Sequence, residues 1–163
     1  MRFMGERYLK SVRLLAECLQ GFERFSNLSV RQCGLTPTQF DIIATLGNTD
    51  GMTVKELGER TLIAKGTLTG VIDRLEQKGL VARQRSADDK RSFVVMLTAE
   101  GVRVFDETFP AVVAHSKLMF ASCSEVDFEA MDQTFRKFKQ LIAEAEAAAE
   151  SMQQSTPKLK EAI

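Results

Sequence analysis

The stretch from Thr53 to Gly79 leaves little freedom of fold, because two helices begin within a span that allows only a tight connection. Thr53 is followed three residues later by Glu56, a pairing in which hydroxyl and carboxylate satisfy each other's backbone amides at a helix start. It opens a short helix through about Glu59 or Arg60. Thr61-Leu62-Ile63 makes a brief turn, and a longer helix follows from about Lys65 to Lys78. Leu68, Val71, Ile72 and Leu75 form its apolar face, at the three- and four-residue spacings of an amphipathic helix. Gly79 closes it, since glycine enters the left-handed conformation of a helix end without strain. Two short helices joined by a tight turn are a helix-turn-helix.

Immediately downstream, Leu80 to Gln84 and Phe93 to Leu97 carry strand-forming residues on either side of the segment SADDKRS, residues 86–92. This predicts a small antiparallel hairpin with a charged tip. A hairpin directly after a helix-turn-helix makes a winged helix, and it places the tip beside the groove that the second helix would occupy. A narrow minor groove concentrates negative potential, and arginine is the side chain best suited to enter it. Arg91 is the expected insertion, Asp89 its brace through a bidentate pair, and Lys90 a phosphate contact. A carboxylate aimed at phosphate would repel, so Asp89 serves better as a support than as a contact.

The flanks read as helix. Tyr8, Val12, Leu15, Leu19 and Phe22 mark a first helix ending near Cys33-Gly34, while Leu14, Ala16, Cys18 and Phe25 give it apolar positions on further sides. Thr36 and Pro37 restart the chain as N-cap and first helical residue, and Phe40, Ile43 and Leu46 follow before Gly47-Asn48. After the hairpin, Thr98 opens a helix with apolar positions 102, 105, 109, 112, 119 and 123, within which Pro110 predicts a bend. A last helix from Ser124 or Glu125 has Phe128, Met131, Phe135, Phe138, Ile142 and Ala145 in heptad spacing, a seam suited to another helix. From Ser151 onward the composition predicts a solvated tail. The expected fold class is mainly α with a small β-hairpin wing. A winged helix-turn-helix core at 35–98 lies between flanking helices at 1–34 and 99–150, followed by a flexible tail at 151–163.

Net charge is zero, but its distribution is uneven: Thr53–Leu97 carries nine bases and six acids, Glu125–Glu150 three bases and seven acids. The basic excess falls on the segment that would meet nucleic acid. Three separated cysteines, Cys18, Cys33 and Cys123, do not suggest a disulfide framework, and a reduced cytoplasm is the expected setting. No apolar run is long enough for a membrane span, and the N-terminus lacks the apolar core of a secretion signal. One histidine and no close cysteine pair make a metal centre unexpected. Catalysis is not expected either: Gly-x-Ser-x-Gly and His-Glu-x-x-His are missing, and Gly66-Thr67-Leu68-Thr69-Gly70 lacks the ending of a phosphate loop.

The residues LTPTQFDIIATL (35–46), TVKELGERTLIAKGTLTGVIDRLEQKGLVAR (53–83) and DDKRSFVVMLTAEG (88–101) resemble the winged-helix core of the MarR (multiple antibiotic resistance regulator) family. Asp89-Lys90-Arg91 matches the Asp-x-Arg of that family's wing. The resemblance implies a recognition helix at 64–78 entering the major groove by its N-terminal half. Lys65, Thr67 and Thr69 would then contact bases or phosphate, and Arg74 would reach phosphate or pair with an acid. Gly66 and Gly70 depart from the Ser and Arg common in the family, which shifts weight onto Lys65 and Arg91.

The resemblance also implies a cytoplasmic homodimer, joined through dimerisation helices at 1–34 and 99–150, on a pseudo-palindromic double-stranded operator, acting as a repressor. No cofactor is expected beyond a small aromatic acid effector, for which Arg13, Phe22, Arg24, Phe40 and His115 would line a cleft together with Phe25 and Phe109. Two alternatives share the fold. One is a peroxide sensor using Cys18 in the first helix, and the other is a winged helix that serves protein contacts without specific DNA binding.

Overall fold

The computed structural model describes residues 7–85 and 93–155. Local signals set most element boundaries. α1 spans Arg7–Gln32, and Gly34 follows it at φ +72°. α2 (Pro37–Leu46) starts at Thr36, whose hydroxyl accepts from the Gln39 amide while the Gln39 side chain accepts from the Thr36 amide. Gln39 thus completes a capping box that the Thr-Pro signal alone did not reveal. α3 (Val54–Thr61) starts at the expected Thr53–Glu56 box, with the Thr53 amide 2.8 Å from Glu56 Oε2. α4 (Lys65–Gln77) ends before Gly79, which adopts φ +70°.

The hairpin is β2 (Val81–Arg85) and β3 (Phe93–Leu97), antiparallel with Val81 opposite Leu97 and Arg85 opposite Phe93. Its tip, residues 86–92, lies outside the described residues, and with it Asp89, Lys90 and Arg91. The sheet also has a third strand that sequence reading missed. β1 (Met52–Thr53) pairs with β3, opposite Val95 and Val94, giving the order β1-β3-β2. Two residues carry no readable alternation, so only pairing reveals them as strand.

α5 (Ala99–Lys117) is capped by the Thr98 hydroxyl and continues through Pro110, so the proline does not end it. It stops before positions 119 and 123, which the expected stripe had included; a 3-10 turn occupies Leu118–Phe120. The chain divides into two compact units, residues 1–119 and 120–163. In the second, Ser124 and Asp127 cap α6 (Glu125–Ser155), which extends beyond Ser151, where a tail was expected. Phe128, Phe135, Leu141 and Ile142 on α6 are exposed.

The core of the first unit joins all three layers of the helix-turn-helix and its sheet. Ile42, Ile43 and Leu46 of α2, Leu57 of α3, Leu68, Ile72 and Leu75 of α4, and Val81 and Val95 of the strands are almost wholly buried. Burying a side chain of that size contributes about 1.5–3 kcal/mol, so this cluster outweighs any surface pair in setting the arrangement. α1 joins the core through Val30, while Tyr8, Leu9, Val12, Leu15 and Leu19 of its N-terminal half remain exposed.

The start of α5 is clamped to the chain leaving α4. The Thr98 amide donates to the Leu80 carbonyl at 3.1 Å and its hydroxyl to the Gly79 carbonyl at 2.6 Å. Gly101 then lies so near the Leu80 carbonyl oxygen that a Cβ would collide with backbone. Gly101→Ala is therefore expected to cost about 1–3 kcal/mol, read as a lower urea midpoint by circular dichroism. Gly66→Ala, at a helical glycine whose Cβ would meet open space, is expected to stabilise by up to about 1 kcal/mol.

The Glu56 carboxylate is held below its ordinary range by the Thr53 amide and hydroxyl, and Asp127 likewise by the Ser124 hydroxyl and amide. A carboxylate with a lowered folded pKa contributes fully above its unfolded pKa. That contribution is lost as pH falls through the folded value. Glu56→Gln keeps a cap without a titrating group, so its melting temperature should fall less than wild type between neutral pH and about pH 3.

Candidate nucleic-acid interface

The packing of α4 decides what it can offer a partner. Leu68, Val71, Ile72 and Leu75 face inward, and at 3.6 residues per turn this turns Lys65, Gly66, Thr67, Thr69 and Arg74 outward. All five are exposed. The helix-turn-helix thus places four of the expected contact residues, Lys65, Thr67, Thr69 and Arg74, on the solvent side of one element. Neither Lys65 nor Arg74 has an ion pair among the described residues. Both charges are therefore available to an anionic surface.

Three features of this face were not legible beforehand. Gly66 and Gly70 have open space where a Cβ would be, so no packing among the described residues requires glycine at either position. The helix start at Ala64 has no side-chain cap, leaving its amide end unscreened by a capping side chain. Leu62, in the turn before it, is 89% exposed and sits at φ +56°. A left-handed backbone is disfavoured for a branched apolar residue. The turn accepts that cost and leaves the Leu62 side chain in solvent.

The wing is tied to α4 by a fork of ion pairs. Arg83 on β2 donates from Nη2 to Asp73 Oδ1 and from Nη1 to Glu76 Oε2, both at 2.5 Å. Sequence reading placed Arg83 only among the bases of the segment, because its partners lie seven and ten residues away on a different element. Of the two roles open to Arg74, phosphate contact or pairing with an acid, no acid pairs with it among the described residues, and Arg83 takes Asp73 and Glu76. Between α3 and α4, Val54, Gly58, Ile63 and Leu68 line a shallow apolar hollow with Lys55, Glu59 and Lys65 at its rim.

The effector candidates do not converge on one cleft. Arg13 pairs with Glu17 at 2.6 Å one turn along α1, with both side chains exposed. Phe25 stacks on His115 at a centroid distance of 4.3 Å, and His115 Nε2 lies 3.2 Å from the Phe25 carbonyl oxygen. Arg24 borders a shallow depression on α1 with Gly21, Phe25, Asn27, Leu28 and Arg31. Phe22 is exposed on the same helix. Phe40 belongs to a separate cluster, stacked on Phe109 at 6.5 Å, with Phe105 a further 5.0 Å from Phe109. Sequence spacing had no means of separating these groups, which depend on how α1 and α2 each meet α5.

Among the described residues no group of three His, Cys, Asp or Glu side chains is arranged to hold a metal. No helix among them is long and apolar enough to cross a membrane. Cys18, Cys33 and Cys123 are free thiols, with Cys18 exposed on α1.

Comparison with known proteins bears directly on this face. The MarR family model matches residues 35–93, the segment from α2 to the first residue of β3. The HTH-type transcriptional regulator MhqR of Bacillus subtilis (strain 168) is 28% identical over 134 residues, covering 82% of this chain and 92% of MhqR. An uncharacterised HTH-type transcriptional regulator of the same organism, YkoM, is 30% identical over 105 residues, covering 64% of this chain and 68% of YkoM. Among solved structures, a mutant MarR from E. coli complexed with operator DNA superposes with a TM-score of 0.73 at 22% identity, over 83% of this chain and 98% of that one. With an outward-facing second helix, a paired-strand wing and relatives of this kind, the chain belongs to the MarR family of winged-helix, DNA-binding transcriptional regulators.

Proposed function

We propose that the chain works as a homodimeric, effector-responsive repressor. α4 would enter the major groove of a pseudo-palindromic operator, and the wing would reach the adjoining minor groove. The observation that carries this reading is the outward face of α4, where Lys65 and Arg74 are exposed and unpaired among the described residues over a fully buried inner face. In this reading Lys65 and Arg74 neutralise phosphate, while Thr67 and Thr69 meet base edges, their methyl groups suited to thymine. Arg91 enters the minor groove with Asp89 steadying it and Lys90 at phosphate. Occupancy of a groove by a dimer excludes other proteins from it, which makes repression the natural output.

The dimer reading draws on the apolar surface of the single chain. Tyr8, Leu9, Val12, Leu15 and Leu19 on α1, and Phe128, Phe135 and Ile142 on α6, are all exposed large apolar side chains. Such surface is unfavourable in water, and a second copy of the same helices would cover it. Two-fold symmetry then sets half-sites about one helical turn apart.

For the effector, a small aromatic acid fits the side chains around the Phe25–His115 stack. Arg24 and Arg31 border that depression and offer guanidinium groups to a carboxylate. Because the stack joins α1 to α5, a ligand seated there would favour one disposition of these helices over another, and only such a difference can shift the dimer. Of the earlier candidates, Arg24, Phe22 and His115 stay in this reading, while Arg13 and Phe40 lie outside it.

DNA binding is tested with a duplex from the gene's own upstream region and a scrambled competitor over a salt series. Lys65→Ala and Arg91→Ala should each weaken binding by about tenfold and lower the salt slope by about one. Equal affinity for both duplexes, unchanged by either substitution, would remove this face from the mechanism. Phe135→Glu should convert a dimer to a monomer in light scattering if α6 supplies the interface; an unchanged mass would place it elsewhere.

A further inference from the structure

A helix offered to a polyanion carries two carboxylates on its exposed side. Asp73 lies one turn beyond Gly70 on the line that continues through Gly66, and Glu76 one turn beyond Asp73. Their side chains are 48% and 41% exposed. Left alone, two negative charges on this surface would oppose the approach of phosphate. Arg83 lies beneath them, 24% exposed, with one arm of its guanidinium on each carboxylate at 2.5 Å. Each terminal nitrogen gives one N–H to a carboxylate, so the paired donors that would grip a phosphate side by side are turned toward Asp73 and Glu76.

We infer that Arg83 is a positioning residue for DNA binding, acting as an electrostatic cover that offsets one of the two negative charges of Asp73 and Glu76 on the recognition helix and leaves the trio with a single net negative charge. The inference rests on the DNA-binding reading of α4 and adds a role to a residue that does not itself touch DNA. The two carboxylates are partly exposed, where solvent screening limits what an ion pair adds to folding stability, whereas the fork's effect on the potential of the helix face is felt directly at the interface. Placing the cover on β2 also makes that potential depend on the wing strand remaining beside the helix.

The test uses the full chain and four variants: Arg83→Gln, Arg83→Lys, the pair Asp73→Asn with Glu76→Gln, and the triple variant combining that pair with Arg83→Gln. Binding to the upstream and scrambled duplexes is read by fluorescence anisotropy from about 50 to 300 mM salt. Arg83→Gln should weaken both duplexes by about 5- to 10-fold at low salt, with the loss shrinking as salt rises. The triple variant should bind at least as tightly as wild type, and the acid-free pair tighter. Arg83→Lys, which keeps the charge, should stay near wild type.

A triple variant as weak as Arg83→Gln would overturn the cover, whether because Arg83 grips phosphate itself, marked by a salt slope lower by about one, or because it only holds β2 in place. So would an Arg83→Gln loss that salt does not screen, or no loss at all. Wild type binding both duplexes equally would count against the operator reading for that target. The charge effect would still be decided on scrambled DNA.

Discussion

The packing of α4 on α2 carries the rest of the structure. Leu68, Ile72 and Leu75 share one buried cluster with Ile42, Ile43 and Leu46. With that face committed, the opposite face of α4 is left to solvent. Lys65, Thr67, Thr69 and Arg74 point outward because the core fixes the rotation of the helix, and two glycines between them bare the backbone. Helical glycines cost stability, and here no close approach among the described residues requires them. An exposed Leu62 in a left-handed turn departs from folding preference in the same way. Such departures gather where a protein meets its partner.

A second constraint couples the helix-turn-helix to what lies on either side of it. Gly79 turns the chain out of α4, Leu80 and Val81 enter the core, and Thr98 binds the carbonyls of Gly79 and Leu80 as it starts α5. Gly101 lets α5 approach that backbone closely. The same few residues therefore hold α4, the first wing strand and the start of a long helix. Arg83 adds a polar link from the wing strand to the outer side of α4. A movement of α5, which also meets α1 through His115 and Phe25, has a short physical route to α4 and the wing strands.

The chain also leaves a large apolar surface uncovered. The N-terminal half of α1 and the seam of α6 expose phenylalanine, leucine and isoleucine. Of the heptad positions read from sequence on α6, Phe128, Phe135 and Ile142 are exposed, while Met131 and Phe138 are half-buried. Under the proposed homodimer, a second copy of these helices would cover that surface.

Much of the fold was legible from local patterns. The Thr53–Glu56 box, the Thr36-Pro37 start, the glycine at 79 and the apolar spacing of α4 all act within one or two turns, so neighbouring residues suffice to determine them. The same local patterns placed β3 and the Thr98 start of α5. Tertiary structure decided what depends on elements meeting. The two residues of β1 become strand only by pairing with β3, and Arg83 finds Asp73 and Glu76 only because β2 returns beside α4. The effector candidates separate into a Phe25–His115 stack and a Phe40–Phe109 cluster according to which helix each occupies. Caps and periodicity are settled by contacts close along the chain. Ion pairs, aromatic stacks and short strands are settled by where the buried core brings distant backbone together.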